Sequence, residues 1–227
     1  MKLKILFILT VIILLGCSQT TEEGGNEMHN YVELKTKDNI KIIGDHYKAD
    51  SNKAIILLHM LSVTKSTWKE FAQELNQKEY EVLAIDFRGH GQSDLNFKDF
   101  SEQDFNNMIL DVEAAHNFLN KEKTAVIGAS IGANIALKYS NNVDTSILLS
   151  PGLNYRGVNI EQDSKNANNP ILIVVSKEDK YSFDSSQQIA QDIKDNKLIT
   201  YTGKGHGTNM LDRETKEAIL NWLEKKL

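Results

Sequence analysis

From residue 31 onward the chain alternates between two hydrophobic patterns. Short runs that are largely apolar and bounded by polar turns recur at 53-KAIILLH-59, 80-YEVLAIDF-87, 123-KTAVIGA-129, 144-DTSILLS-150, 170-PILIVVS-176 and 197-KLITYTG-203. Runs of this kind predict strands buried on both faces. Between them lie segments with apolar residues at helical spacing: 66-STWKEFAQELNQK-78, 105-FNNMILDVEAAHNFLNK-121, 131-IGANIALKYSNN-142, 185-SSQQIAQDIK-194 and 212-DRETKEAILNWLEKKL-227. Ser66 or Thr67 is the expected cap of the first of these helices. The opening stretch 31-YVELKTKDNIKIIGDHY-47 alternates apolar and polar positions around Asp38-Asn39, the pattern of a β-hairpin. Strands alternating with helices predict an α/β fold: a mostly parallel sheet of about eight strands with helices on both faces and antiparallel strands at one edge. The segment from Pro151 to Asn169 is short and polar and reads as a connection with minimal or no lid.

The first 30 residues break this pattern. Lys2 and Lys4 precede an apolar stretch from Ile5 to Leu15, interrupted by Thr10 and closed by Gly16-Cys17. A charged start, a short apolar core and a small residue predict a secretory signal peptide over residues 1–16. The stretch is short of the roughly 20 residues a membrane-spanning helix needs. Leu14-Leu15-Gly16-Cys17 resembles the lipobox of bacterial lipoproteins, which implies lipidation of Cys17 after cleavage before it. Residues 17–30, polar and with paired glycines, read as a flexible tether. The expected product is an exported domain, residues 31–227, held at a membrane through its lipid anchor and working outside the cytoplasm. Cys17 is the sole cysteine, so no disulfide forms within the chain.

Composition changes the picture little: 41% hydrophobic and 25% charged residues suit one full-sized globular domain. Cleavage removes Lys2 and Lys4 but no acid, taking the formal net charge from −5 to −7. Neither value suits nucleic-acid binding, and no basic stripe argues otherwise.

The candidate chemistry sits at strand ends. Gly128-Ala129-Ser130-Ile131-Gly132 matches G-x-S-x-G where a strand is expected to turn into a helix, which would hold the serine hydroxyl out on a sharp turn. A serine nucleophile needs a base, and the base an orienting carboxylate. Both follow in loops after later strands: Glu178-Asp179 past the fifth apolar run, and His206, bracketed by Gly205 and Gly207, past the sixth. Asp179, the shorter carboxylate and one residue further into the loop, is preferred over Glu178. His29 falls in the tether, His46 in the hairpin and His116 on a helix. His59 and His90 lie at strand ends but precede the serine, against the expected order.

With these residues in place the chain resembles the α/β-hydrolase superfamily over residues 31–227, carried by "AIILLHM", "LAIDFRGHGQSD", "GASIG", "SKED" and "GKGHG". The resemblance implies an α/β-hydrolase fold and a Ser130-Asp179-His206 triad acting through an acyl-enzyme. It implies a structural role for the Asp86–Asp94 turn, and so no catalytic part for Arg88 or His90. It also implies an oxyanion hole from the backbone N–H of Ile131 and of Leu61, with Met60 as second choice. Met60 stands where the family usually has glycine. No metal or organic cofactor is expected. The expected substrate is a small or exposed acyl ester, which makes the chain a carboxylesterase. The alternatives are a serine peptidase or thioesterase on the same triad, and a non-catalytic, membrane-tethered binding protein. Oligomeric state is left open.

Overall fold

The computed structural model describes residues 29–227, so the expected signal peptide, Cys17 and nearly all of the tether lie outside the described residues. Among the described residues ten strands form: β1 (Asn30–Lys35), β2 (Lys41–Tyr47), β3 (Lys53–Leu58), β4 (Glu81–Asp86), β5 (Lys123–Ala129), β6 (Thr145–Leu149), β7 (Asn154–Tyr155), β8 (Val158–Asn159), β9 (Ile171–Ser176) and β10 (Asn196–Tyr201). Eight of them make one sheet in the order β1-β2-β4-β3-β5-β6-β9-β10. β1 and β2 run antiparallel to their neighbours, and every other pairing in this sheet is parallel. The expected hairpin is present, closed by Asn39 in the left-handed region, with φ 65°.

Helices α1 (Lys69–Gln77) and α7 (Arg213–Lys226) cover one face, and α3 (Met108–Leu119), α4 (Ile131–Tyr139) and α6 (Lys180–Asp192) the other. Successive strand residues point to opposite faces, so both must be apolar. Along β3, Ile55 and Leu57 belong to the core on the side of Trp68, Phe71 and Trp222, while Ala54, Ile56 and Leu58 belong to the core on the side of Val112, Ile135 and Ile189. That is why the apolar runs of the sequence are continuous.

Three local expectations are corrected, and one segment gains detail. A 3-10 turn, Lys65–Trp68, leads into α1, whose N-cap is Trp68 rather than Ser66 or Thr67; Thr64 and Ser66 bond each other instead. The helix expected over 105–121 is preceded by a separate turn of helix, α2 (Glu102–Asn106), opened by a reciprocal Ser101–Asp104 capping box. Helix α6 starts five residues before the expected Ser185, directly after Asp179. The 151–169 connection contains the β7–β8 hairpin and a short helix, α5 (Glu161–Asn166). Its Val158 and Ile160 are fully buried, isolated apolar positions that carry no periodicity in the sequence. Asn134 of α4 binds this hairpin down, donating to the carbonyls of Gly152 and Val158.

The sheet order reverses between β3 and β5, and such switch points leave a crevice at the carboxyl ends of the strands. Residues 59–62, Ser130, Ser150, Asp179 and His206 all follow the carboxyl ends of parallel strands at that rim.

Candidate active site

Only one residue separates β5 from α4, so the chain reverses within Ser130. Its backbone takes φ 55°, ψ −121°. That is the first central position of a type II′ turn, a region that glycine adopts freely and other residues rarely. The flanking glycines make room for the turn. A Cβ on Gly128 would meet the Gly132 carbonyl, and one on Gly132 would come within 2.6 Å of the Leu58 carbonyl. The serine is 8% exposed. Its N–H donates to Leu149 O at 2.9 Å, and its carbonyl accepts from Ala133 and Asn134. Ile131 is the first residue of α4, where backbone N–H groups have no partner inside the helix and form the positive end of its dipole.

His206 sits on a loop after β10 bent by Gly203, Gly205 and Gly207, all at positive φ. Its Nδ1 lies 2.6 Å from Asp179 Oδ2. Asp179 occupies the N-cap of α6, where a negative charge faces the helix amides. The carboxylate is largely shielded from water, with 16% of its side chain exposed against 37% for the imidazole. The structure thus brings together His206 and Asp179. Glu178 turns elsewhere: its Oε2 accepts from Ser176 Oγ at 2.6 Å and from Gly203 N at 2.7 Å. The Ser176 hydroxyl and the Gly203 amide hold the Glu178 carboxyl below the usual range. Glu178 therefore clamps the base of the histidine loop.

The serine and histidine loops share an anchor. Ser130 N binds Leu149 O, and Gly207 N donates to the Oγ of the next residue, Ser150, at 3.0 Å. Tyr155 of β7 packs beside this anchor. Its ring centre is 6.3 Å from that of His206, edge-on, and its hydroxyl donates to Ser150 O at 3.4 Å. The same hydroxyl lies 2.7 Å from Ser182 Oγ. Burial pushes the Tyr155 phenol up to about 12, so it stays protonated and able to donate. Sequence reasoning missed Tyr155 and Ser150. Tyr155 belongs to a two-residue strand in a segment without hydrophobic periodicity, and Ser150 ends a strand without a motif of its own.

The 59–62 loop carries the second expected donor. His59, wholly buried, donates from Nδ1 to Met60 O at 2.6 Å, and its Nε2 accepts from Phe87 N at 3.0 Å. A carbonyl can only accept and an amide N–H only donate, so these partners fix one neutral tautomer. Burial drives the His59 imidazole down to about 4. His90 repeats the arrangement. Its Nδ1 donates to Arg88 O at 3.1 Å, Ser62 N donates to its Nε2 at 3.4 Å, and burial lowers its imidazole too. The two rings lie 4.9 Å apart. They therefore hold the loop at both ends of Leu61 and Met60. The Met60 side chain lies under the histidine loop, where its sulfur would meet a Cβ placed on Gly207. It takes the space that Gly207 leaves.

The other singled-out residues are structural. Arg88 is buried between Asp111 and Asp38, with 2.8 Å and 2.6 Å contacts. His29 is 3.6 Å from Asp45, His46 Nε2 is 2.8 Å from Glu81, and His116 Nδ1 is 3.0 Å from the Tyr139 hydroxyl.

The family model described as serine aminopeptidase, S33, matches residues 49–160, just under half of the chain. That span includes Ser130 and the 59–62 loop but ends before Asp179 and His206. An uncharacterised protein of Mycobacterium tuberculosis is 33% identical over 116 residues, covering 49% of this chain and 33% of that protein. An AB hydrolase superfamily protein of Bacillus subtilis is 28% identical over 122 residues, covering 52% of this chain and 44% of that one. The matched segments thus span a third to under half of these relatives. An esterase of Pyrococcus furiosus has a similar structure, with a TM-score of 0.74 at 19% identity, over 87% of this chain and 91% of that one.

Proposed function

The chain has the α/β-hydrolase fold, and on that premise we propose that it is a serine hydrolase of the carboxylesterase type. Ser130 Oγ attacks the ester carbonyl while His206 takes its proton, and Asp179 orients the imidazole and stabilises its charged form. The N–H groups of Ile131 and Leu61 receive the developing oxyanion, with Met60 the second choice for the latter. The alcohol leaves with the proton from His206, and the same base then activates water to hydrolyse the acyl-enzyme. One observation carries this reading. The serine is held at a strained backbone angle on the rim where the 2.6 Å His206–Asp179 pair also sits, and adjacent residues anchor both loops. A backbone conformation that only surrounding structure can maintain is the sort found at reacting groups.

The small β7–β8 cover favours short or exposed acyl groups over long lipid chains. A peptidase on the same residues is the second reading, favoured by the description of the matched family model. Labelling of the purified protein by a fluorophosphonate, abolished in Ser130→Ala, tests the nucleophile. An unlabelled parent protein sinks the assignment in favour of a binding role. Rates on short-chain aryl esters, aminoacyl amides and acyl thioesters then decide the bond, and a clear amide preference rejects the esterase.

The N-terminal Leu14-Leu15-Gly16-Cys17 supports a lipid-anchored, exported protein. Cys17→Ser should release the processed protein from membranes, and undiminished membrane partitioning counts against the anchor.

A further inference from the structure

We propose that the cleft beside the oxyanion loop seats an apolar arm of the substrate, and that Arg156 and Lys98 select arms ending in an anion. This deepens the hydrolase reading and rests on it. The cleft holds about 240 Å³ and is lined by Leu61, Phe97, Phe100, Phe105, Lys98 and Arg156. An apolar cavity of about 150 Å³ suffices for benzene, so this one takes a phenyl-sized group with a short linker. Two of its lining residues tie it to the candidate site. Leu61 is the candidate oxyanion donor, and Arg156 follows Tyr155, whose ring centre lies 6.3 Å from that of His206.

Two independent features point to an anionic ligand. First, Arg156 occupies a costly backbone position. β7 and β8 pair as Asn154↔Asn159 and Tyr155↔Val158, leaving Arg156-Gly157 as a two-residue turn with φ 54° and 83°. Such a turn requires positive φ at both residues and favours asparagine, aspartate or glycine at the first. A long cationic side chain there is strained, and the strain calls for a use of that side chain. Second, the cleft's charge is unbalanced. Two cations, Lys98 and Arg156, line it and no carboxylate does, in a chain whose formal net charge is −5. Among the described residues neither Lys98 nor Arg156 makes an ion pair. An arm with apolar length and a terminal carboxylate complements aromatic walls topped by two free cations.

The test uses the full chain in mild detergent and two ester pairs. One pair carries the anion on the acyl side: the 4-nitrophenyl half-ester of suberic acid against its methyl-capped neutral counterpart. The other carries it on the alcohol side: 4-acetoxyphenylpropanoate against its methyl ester. We expect kcat/KM to favour the anion in at least one pair by roughly tenfold, the size of one charge-assisted hydrogen bond. The ratio should shrink with added salt. Arg156→Glu should reverse it. Should that variant fold poorly, Arg156→Gly, which also relieves the turn, and Lys98→Glu should each lower it. A ratio of one or below in both pairs, or one that both Arg156→Gly and Lys98→Glu leave unchanged, overturns the inference while hydrolysis itself upholds the esterase. If no ester is cleaved and no fluorophosphonate label is taken up, the hydrolase reading falls instead. Calorimetric binding of suberate to Ser130→Ala then judges the cleft alone: binding weakened by Arg156→Gly sustains it, and absence of binding rejects it.

Discussion

Replacing Ser130 by glycine and, separately, by alanine separates the strain of the elbow from its chemistry. Both substitutions remove the hydroxyl, so both should abolish fluorophosphonate labelling and ester hydrolysis. They differ in backbone freedom. At φ 55°, ψ −121° alanine keeps whatever strain serine bears, and glycine has none. A non-glycine residue so placed costs about 1–3 kcal/mol. Against its relief stand the added entropy of glycine in the unfolded chain, about 0.5–1 kcal/mol, and one lost methyl. At an 8% exposed site that methyl is worth about 0.8 kcal/mol. With mid-range strain of about 2 kcal/mol the glycine variant is more stable than the alanine variant by about 0.5 kcal/mol. Without strain it is less stable by about 1.5 kcal/mol. For a chain of this size each kcal/mol moves Tm by about 2–4 °C. Thermal unfolding followed by circular dichroism therefore distinguishes the cases by sign. Strain places Ser130→Gly level with or above Ser130→Ala, whereas a glycine variant melting about 3 °C or more below it refutes the argument.

Three further outcomes follow from the same geometry. Asp179→Asn should lower kcat by about 10³–10⁴ through loss of imidazole orientation, whereas Glu178→Gln, which keeps an acceptor for Gly203 N, should cost no more than about tenfold; equal effects in a steady-state assay would overturn the choice of acid. His59 binds a proton near 6.5 when unfolded and near 4 when folded, so the unfolded state takes up protons first as pH falls. Its contribution is intact above pH 6.5 and is lost towards pH 4, a decline of about 3 kcal/mol if His59 acts alone. Urea midpoints that stay flat across that window in the parent, or that fall as steeply in His59→Asn, contradict this. Asp111→Ala leaves the buried Arg88 guanidinium with Asp38 alone and should destabilise by about 3–5 kcal/mol; a shift below about 1 kcal/mol in denaturant titration would show that the network relaxes freely.

Much of this protein was legible along the chain. Continuous apolar runs marked strands covered on both faces, and helical spacing marked the helices between them, because burial imposes its period on the residues that experience it. Ser130, Asp179 and His206 could be singled out because glycines and strand ends are local features. Other properties depended on contacts between distant segments. The choice between Glu178 and Asp179 turns on which carboxylate meets the imidazole, and both flank the same strand end. The parts of His59 and His90 follow from partners at Phe87 and Ser62, found only once β3 and β4 lie side by side. Tyr155, Arg156 and the aromatic cleft come together from three separated segments with no common periodicity. Sequence patterns record which faces are buried; which side chains meet at the rim depends on sheet order, and that is set by the packing of the whole chain.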